Sequence, residues 1–312
     1  EIGVRLVGSE MCIRDSSEWV LSLKTLAMRK KSFSLKWKKT LVRLLNMNIE
    51  SWVNSSFNKA EEFVLITGAS SGIGLCYLEE FSKLGCNTII VSNEKEKNEN
   101  VSLKISDKYK TNVIPIYSDL SKDSALEELL DELDKYNISA FISNAGFGIK
   151  GDFLESPSSK YRDIIGVNVW TPTRLTYNLL DKMKKKNNGF IVTVASINII
   201  SPIPKNAVYT ATKSYLYNFS LAIAKENEDT NIVFQTLLPG TTKTPFHDKQ
   251  GVSPKSMTML PEQVALYSLK NINKLVCIPN RMDRILAPLS SFIPVQIRMK
   301  LSAFFLKKRL GV

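Results

Sequence analysis

The sequence predicts an α/β protein built on a doubly wound parallel sheet, with helices on both faces in a three-layer α/β/α arrangement. Three observations carry that expectation. The apolar run Phe63-Val-Leu-Ile66 stops abruptly at Gly68, Gly72 and Gly74, and a helical pattern begins at once. An unbroken apolar run suits a parallel strand covered on both faces. Beyond it, short apolar strands alternate with longer helical patterns to about residue 280, with no linker or internal repeat. That alternation describes one domain over 60–280.

The elements follow in order. Residues 62–74 read as a strand, a tight turn and a helix start, the helix running from about Ile73 to Leu84. Glycine lets the backbone bend sharply and approach a ligand with no Cβ in the way, and the helix directs free N–H groups and its positive dipole end at the same spot. Such a place suits a pyrophosphate. The spacing Gly-x-x-x-Gly-x-Gly differs from the commonest dinucleotide fingerprint, so it agrees with that rule only in kind. Further strands are expected near 88–92, 112–117, 139–143, 190–195 and 232–238. Helices are expected near 95–110, 122–136, 158–186, 206–226 and 261–275.

The ends differ from this domain. Residues 60–280 carry 24 Lys+Arg against 24 Asp+Glu, residues 1–59 carry 11 against 5, and residues 281–312 carry 7 against 1. The net charge of +12 therefore sits in two basic extensions that are also apolar. Basic and apolar residues interleaved in this way fit membrane headgroups better than nucleic acid. Residues 1–16 share no periodicity with the rest and read as foreign sequence joined in front of a gene. From Phe33 to Trp52 an amphipathic basic helix is expected, either on a bilayer or packed on the domain or a partner subunit. From Ile285 to Leu306 most residues are apolar, but Pro288 and Pro294 interrupt the run and Arg298 and Lys300 lie within it. Short helices that cover a substrate mouth or rest on a bilayer are expected there, not a spanning helix.

Cys12, Cys76, Cys86 and Cys277 form no C-x-x-C pair, and His247 is the only histidine. A zinc site, a disulfide framework and a mechanism built on any other histidine are thereby disfavoured, and no metal is expected. His247 itself reads as a surface residue of a polar, irregular stretch between Thr241 and Leu260. That stretch is either a flap beside a substrate or a plain loop.

Chemistry concentrates around Tyr209-Thr-Ala-Thr-Lys213, which places a phenol and an ammonium on one face of a helix. A phenol is a poor acid–base group at neutral pH, and a nearby cation brings its pKa toward the working range. Ser196 ends an apolar run thirteen residues before Tyr209, so it belongs at the carboxyl edge of a parallel strand, where such sheets bind ligands. Asn144-Ala-Gly146 ends another strand at that edge, Asp119 follows a third, and Pro239-Gly-Thr-Thr-Lys-Thr244 follows a fourth.

With Thr67-Gly-Ala-Ser-Ser-Gly-Ile-Gly74, Asp119-Leu120, Asn144-Ala-Gly146, Asn168, Ser196, Tyr209 with Lys213, and Pro239-Gly240 in this order, the chain resembles the short-chain dehydrogenase/reductase family in its compact form. The resemblance spans about 60–280 and implies a Rossmann-type fold, a nicotinamide cofactor and hydride transfer between an alcohol and a carbonyl. It implies that Tyr209 is the general acid or base. Lys213 would bind the nicotinamide ribose and lower the tyrosine pKa, and Ser196 would hydrogen-bond the substrate oxygen. Asn168 would position a water linking Lys213 to solvent. The cofactor would lie along Gly68, Ser70, Ser71, Gly72, Ile73 and Gly74, then Asn93, Asp119 at the adenine, Leu120, and Asn144, Ala145 and Gly146 in the cleft. Pro239, Gly240, Thr241 and Thr244 would complete it, the two threonines near the nicotinamide amide.

Two departures stand out. Ser143 replaces an Asn that usually precedes Asn-Ala-Gly, and Ser92-Asn93-Glu94 offers no acid where an Asp would bind the adenosine ribose. Neither Ser71 nor Asn93 is the Arg that many NADP-preferring members place there. NADP is expected, with Lys95 as phosphate partner and NAD as the alternative. The C-terminal part is similar to those of hydroxysteroid dehydrogenases and 3-oxoacyl reductases, so a lipid-like ketone is the expected substrate. A homo-oligomer in the cytoplasm, resting on a membrane surface through its basic tails, completes the expectation. A non-catalytic cofactor-binding protein and a sugar-nucleotide epimerase or dehydratase are the alternatives; for the latter the chain after the sheet offers little room.

Overall fold

The structure, a computed structural model, describes residues 48–248, 259–290 and 292–310. Seven parallel strands form one sheet: β1 (Glu62–Thr67), β2 (Asn87–Ser92), β3 (Val113–Tyr117), β4 (Asn137–Ser143), β5 (Gly189–Val194), β6 (Ile232–Leu237) and β7 (Val276–Cys277). Their order is β3-β2-β1-β4-β5-β6-β7, so the winding reverses between β1 and β4. Strand ends part at that point and leave a crevice at the carboxyl edge.

Alternate residues of the strands feed two cores. Val64, Ile66, Ile90, Ala140 and Val192 face one layer of helices, and Leu65, Ile89, Val91, Phe141 and Ile191 face the other. The helices are α1 (Ile49–Ser56), α2 (Gly72–Lys83), α3 (Lys95–Tyr109), α4 (Asp123–Leu133), α5 (Ser158–Ile165), α6 (Thr171–Lys186), α7 (Ala207–Glu226), α8 (Pro245–Asp248), α9 (Pro261–Lys270), α10 (Arg281–Ser290) and α11 (Val295–Leu310). Leu126, Leu129, Leu130 and Leu133 of α4 show why such stretches fold as helices on a sheet: spaced three and four apart, they make one buried face.

Several expectations need correction. The helix expected over 158–186 is split by a π-helical turn, Gly166–Trp170, which carries Asn168. Such turns slip the helix register and re-aim a side chain. The helix expected to reach 275 stops at Lys270 because the chain returns to the sheet as the two-residue strand β7, too short for a periodic signal.

The helix expected from Phe33 to Trp52 does not run through Asn48, whose extended backbone and side chain cap α1 at its start, and α1 is not an appendage. Ile49, Trp52 and Val53 of α1 are buried, and the Trp52 ring lies 5.8 Å from that of Phe57 and 5.5 Å from that of Phe190 on β5. The boundary expected at residue 60 therefore cuts through packed structure; residues 33–47 of the stretch expected as a helix lie outside the described residues. Cys76, Cys86 and Cys277 are buried and free, and burial pushes each thiol up to about 12. Residues 249–258, half of the 241–260 stretch, also lie outside the described residues, as does the His247 side chain. At its two ends are α8 and a bridge between Thr242 and Met259.

Candidate active site

The glycine turn is built for close approach. Gly68 and Gly72 hold φ of 68° and 60°, and a Cβ on Gly74 would overlap the Gly68 carbonyl. No other residue fits these positions without strain. Ser71 precedes α2 without making a side-chain cap, so the first amides of the helix are directed into the crevice. A Cβ on Gly72 would meet Thr244 Cγ2 at 3.1 Å, which shows that the chain after β6 folds back over the turn. A cradle this narrow, lined by backbone amides, fits a pyrophosphate.

Asn144 fixes the cleft from the β4 side. Its Nδ2 donates to the carbonyls of Thr67, at 2.9 Å, and Gly68, at 3.1 Å, while the backbone amides of Asn144 and Ala145 donate to Thr67 Oγ1. Gly146 follows with no room to spare: a Cβ there would stand 3.1 Å from Asn168 Oδ1 and 3.2 Å from Lys213 Nζ. Asn168 itself is fully buried. Its Oδ1 accepts from Phe147 N at 3.0 Å, and its Nδ2 donates to Phe147 O at 2.9 Å and to Thr212 Oγ1 at 3.0 Å. The side chain thus ties the loop after β4 to α7.

Tyr209 and Lys213 project from α7 into the same place, both buried. The Lys213 ammonium donates to the Val194 carbonyl at the end of β5, at 2.8 Å, and stands 5.9 Å from the Tyr209 ring centre. Ser196, two residues past that carbonyl, lies close to the Tyr209 phenol and acts to lower its pKa. The Tyr209 ring packs at 5.5 Å on Phe246 of α8, a contact that nothing in the sequence pattern marked.

One electrostatic expectation is reversed. Burial pushes the Tyr209 phenol up to about 12, with only Ser196 acting to lower it, and burial pulls the Lys213 ammonium down to about 8. Desolvation dominates for both groups because both are enclosed. At neutral pH the phenol therefore holds its proton and is an acid.

At the outer end of the crevice the sequence showed no acid at Asn93, which is exposed. Its neighbour Glu94 folds back instead: Oε2 accepts from Ser70 Oγ of the glycine turn at 2.9 Å and pairs with Lys97 at 3.1 Å. Ser92 Oγ donates to Ser70 Oγ at 3.1 Å. Asp119 is turned inward to its own loop, its Oδ1 accepting from Ser121 N at 3.1 Å and Oγ at 2.8 Å, beside the buried Leu120. Its sequence position gave no hint of that turn.

After β6, the Pro239 carbonyl accepts from Ile197 N at 3.0 Å, and the Thr241 carbonyl accepts from Met259 N at 3.0 Å. A Cβ on Gly240 would overlap the Asp283 carboxylate of α10. The glycine turn with Ile73, the Asn-Ala-Gly loop, Asn168, Ser196, Tyr209, Lys213 and Thr244 are thus brought to one edge, and Asp119 follows β3 at that edge with its Oδ1 engaged by Ser121.

Comparison with known proteins agrees with this geometry. A family model described as short chain dehydrogenase matches residues 62–253. Hydroxysteroid dehydrogenase-like protein 1 of Gallus gallus is 32% identical over 215 residues, 67% of this chain and 65% of that protein. Very-long-chain 3-oxoacyl-CoA reductase of Homo sapiens is 26% identical over 262 residues, 79% of this chain and 83% of that protein. A relative named inactive hydroxysteroid dehydrogenase-like protein 1, from Rattus norvegicus, is 31% identical over 57% of this chain and 54% of that protein. The matched part spans 65% of the first relatives' length. Among solved structures, a short-chain dehydrogenase from Sphingobium yanoikuyae in complex with NADPH superposes with a TM-score of 0.68 at 26% identity, covering 75% of this chain and 96% of that one.

Proposed function

From the premise that this chain belongs to the short-chain dehydrogenase family, we propose that it is an oxidoreductase that reduces a lipid-like ketone, of 3-oxoacyl or steroid-like shape, to the secondary alcohol. The observation that carries the reading is the buried phenol of Tyr209, close to Ser196 and beside Lys213, at the same edge of the sheet as the glycine cradle. When bound, the nicotinamide supplies the hydride.

The chain's own residues do the rest. Negative charge grows on the carbonyl oxygen as its carbon is reduced, and the Ser196 and Tyr209 hydroxyls donate hydrogen bonds to it. Tyr209 then releases its proton to that oxygen, for which a phenol held protonated is the right starting state. Lys213 binds the ribose and answers the phenolate charge left behind. Asn168 keeps the loop after β4 and helix α7 in register, so that Gly146 and Lys213 stay together.

For the cofactor, the reading is NADP. Position 93 offers no acid, and Lys95 and Lys97 supply cations at the ribose end, where Glu94 is already engaged by Ser70 and Lys97. The test is a comparison of NADPH and NADH oxidation by purified protein over long-chain 3-oxoacyl, steroid and small ketones. NADPH-dependent reduction of the apolar ketones supports the reading, and no turnover with any of them counts against it.

A second reading, a cofactor-binding protein without turnover, is favoured by the name of the rat relative. The complete set Asn168, Ser196, Tyr209 and Lys213 speaks against it. Cofactor binding with no hydride transfer to any ketone is the outcome that would select it.

A further inference from the structure

Among the described residues, the C-terminal helices present an apolar surface that no other element covers. On α10, Met282, Ile285, Leu286 and Leu289 recur at three- and four-residue spacing and are 48–51% exposed. Phe292 in the turn and Ile297, Leu301 and Phe304 on α11 extend this apolar surface. Four large apolar side chains half in water on one helical stripe is more than scattered exposure, and marks an interaction face.

The rest of the helix pair is fastened to the domain at the crevice. Arg284 Nη1 donates to the Tyr267 hydroxyl at 2.7 Å and lies 5.0 Å from that ring's centre. Asp283 stands against Gly240. Arg298 Nη1 donates to the Ile200 carbonyl at 2.5 Å, and Ser302 Oγ donates to Ser201 Oγ at 2.9 Å. Ile200 and Ser201 close the short 3-10 turn that begins next to Ser196. The exposed stripe therefore belongs to a cap held against two loops of the candidate site.

We propose that this face docks on the surface of an anionic lipid bilayer, and that the crevice thereby opens toward the apolar phase from which a lipid-like substrate is drawn. Charge decides the occupant. Residues 281–312 hold 7 Lys+Arg against 1 Asp+Glu, so two copies meeting through this face would bring like charges together, whereas anionic headgroups complement them. Depth is decided as well. Among the described residues no helix is long and apolar enough to cross a membrane, so the pair lies in the interface plane. The docking does not depend on turnover; only the delivery of substrate rests on the reductase reading.

The test is cosedimentation of the full chain with vesicles, either phosphatidylcholine alone or a mixture of phosphatidylcholine and phosphatidylserine, at low and high salt. The wild type is expected to pellet with the anionic vesicles at low salt, and to be released by salt. Arg281→Gln with Lys300→Gln, both exposed, removes two charges at about fivefold each, so binding should weaken about 25-fold. Leu286→Gln with Leu289→Gln should weaken it about tenfold or more while leaving the melting temperature unchanged, because neither side chain is buried. A wild type that stays in the supernatant with both vesicle types would overturn the proposal. So would leucine and charge variants that bind like wild type, or a dimer that the leucine variant turns into a monomer. Ketone reduction in detergent-free buffer is measured alongside, so that failure of docking is distinguishable from failure of the reductase reading.

Discussion

Replacing Asn168 by alanine separates a structural account of this residue from a passive one. The side chain has no exposure and makes three hydrogen bonds, two to Phe147 and one to Thr212. Thr212 keeps its own bond to the Tyr209 carbonyl at 2.7 Å, so alanine strands two groups, Phe147 N–H and Phe147 C=O. A buried polar group left without a partner costs about 1–3 kcal/mol, giving about 2–6 kcal/mol for the pair. A fully folded domain holds only about 5–15 kcal/mol in total. At about 2–4 °C per kcal/mol, the melting temperature should fall by roughly 4–24 °C. Calorimetry of wild type and Asn168→Ala, with NADPH affinity measured at a temperature where both are folded, reads both consequences. The loop bearing Gly146 should loosen and cofactor binding weaken with it. A variant that melts within a degree of wild type and binds the cofactor unchanged would refute the reasoning.

Other outcomes follow from the same geometry. Lys213, brought down to about 8 by burial, carries its charge below that pH and loses it above, so kcat/KM for ketone reduction should fall as pH rises through about 8; a profile flat from about pH 7 to about pH 10 contradicts this. Glu94→Gln removes a carboxylate from the ribose end and should tighten NADPH by up to about tenfold while leaving NADH within about twofold, measured as dissociation constants by titration; equal effects on both cofactors would place the carboxylate away from the 2′ position. Trp52→Ala should cost about 3–5 kcal/mol in denaturant unfolding, since its ring fills the space between Phe57 and Phe190; a loss below about 1 kcal/mol would mean α1 is dispensable.

Most of what the sequence revealed lay in local pattern. The run from Phe63 to Ile66 ending at three glycines marked a strand, a turn and a helix start, because each property is encoded within a few residues. Ser196 and Asn144 could be put at the carboxyl edge because apolar runs end just before them. Tyr209 and Lys213 could be put on one face because a helix has a fixed period. What escaped was set by contacts distant in sequence. The π turn that aims Asn168 depends on Phe147 and Thr212. Glu94 reaches Ser70 across 24 residues. The burial that reverses the expected pKa of Tyr209 comes from neighbours such as Phe246, and the anchoring of α11 depends on a loop 98 residues earlier. None of these leaves a periodic trace.

The central claim is that one enclosed phenol delivers the proton that completes carbonyl reduction. Its most direct test is single-turnover hydride transfer from bound NADPH in Tyr209→Phe. With the hydroxyl gone and the ring retained against Phe246, the cofactor should bind within about twofold of wild type, and transfer should slow by about a thousandfold or more. Transfer at the wild-type rate would contradict the account.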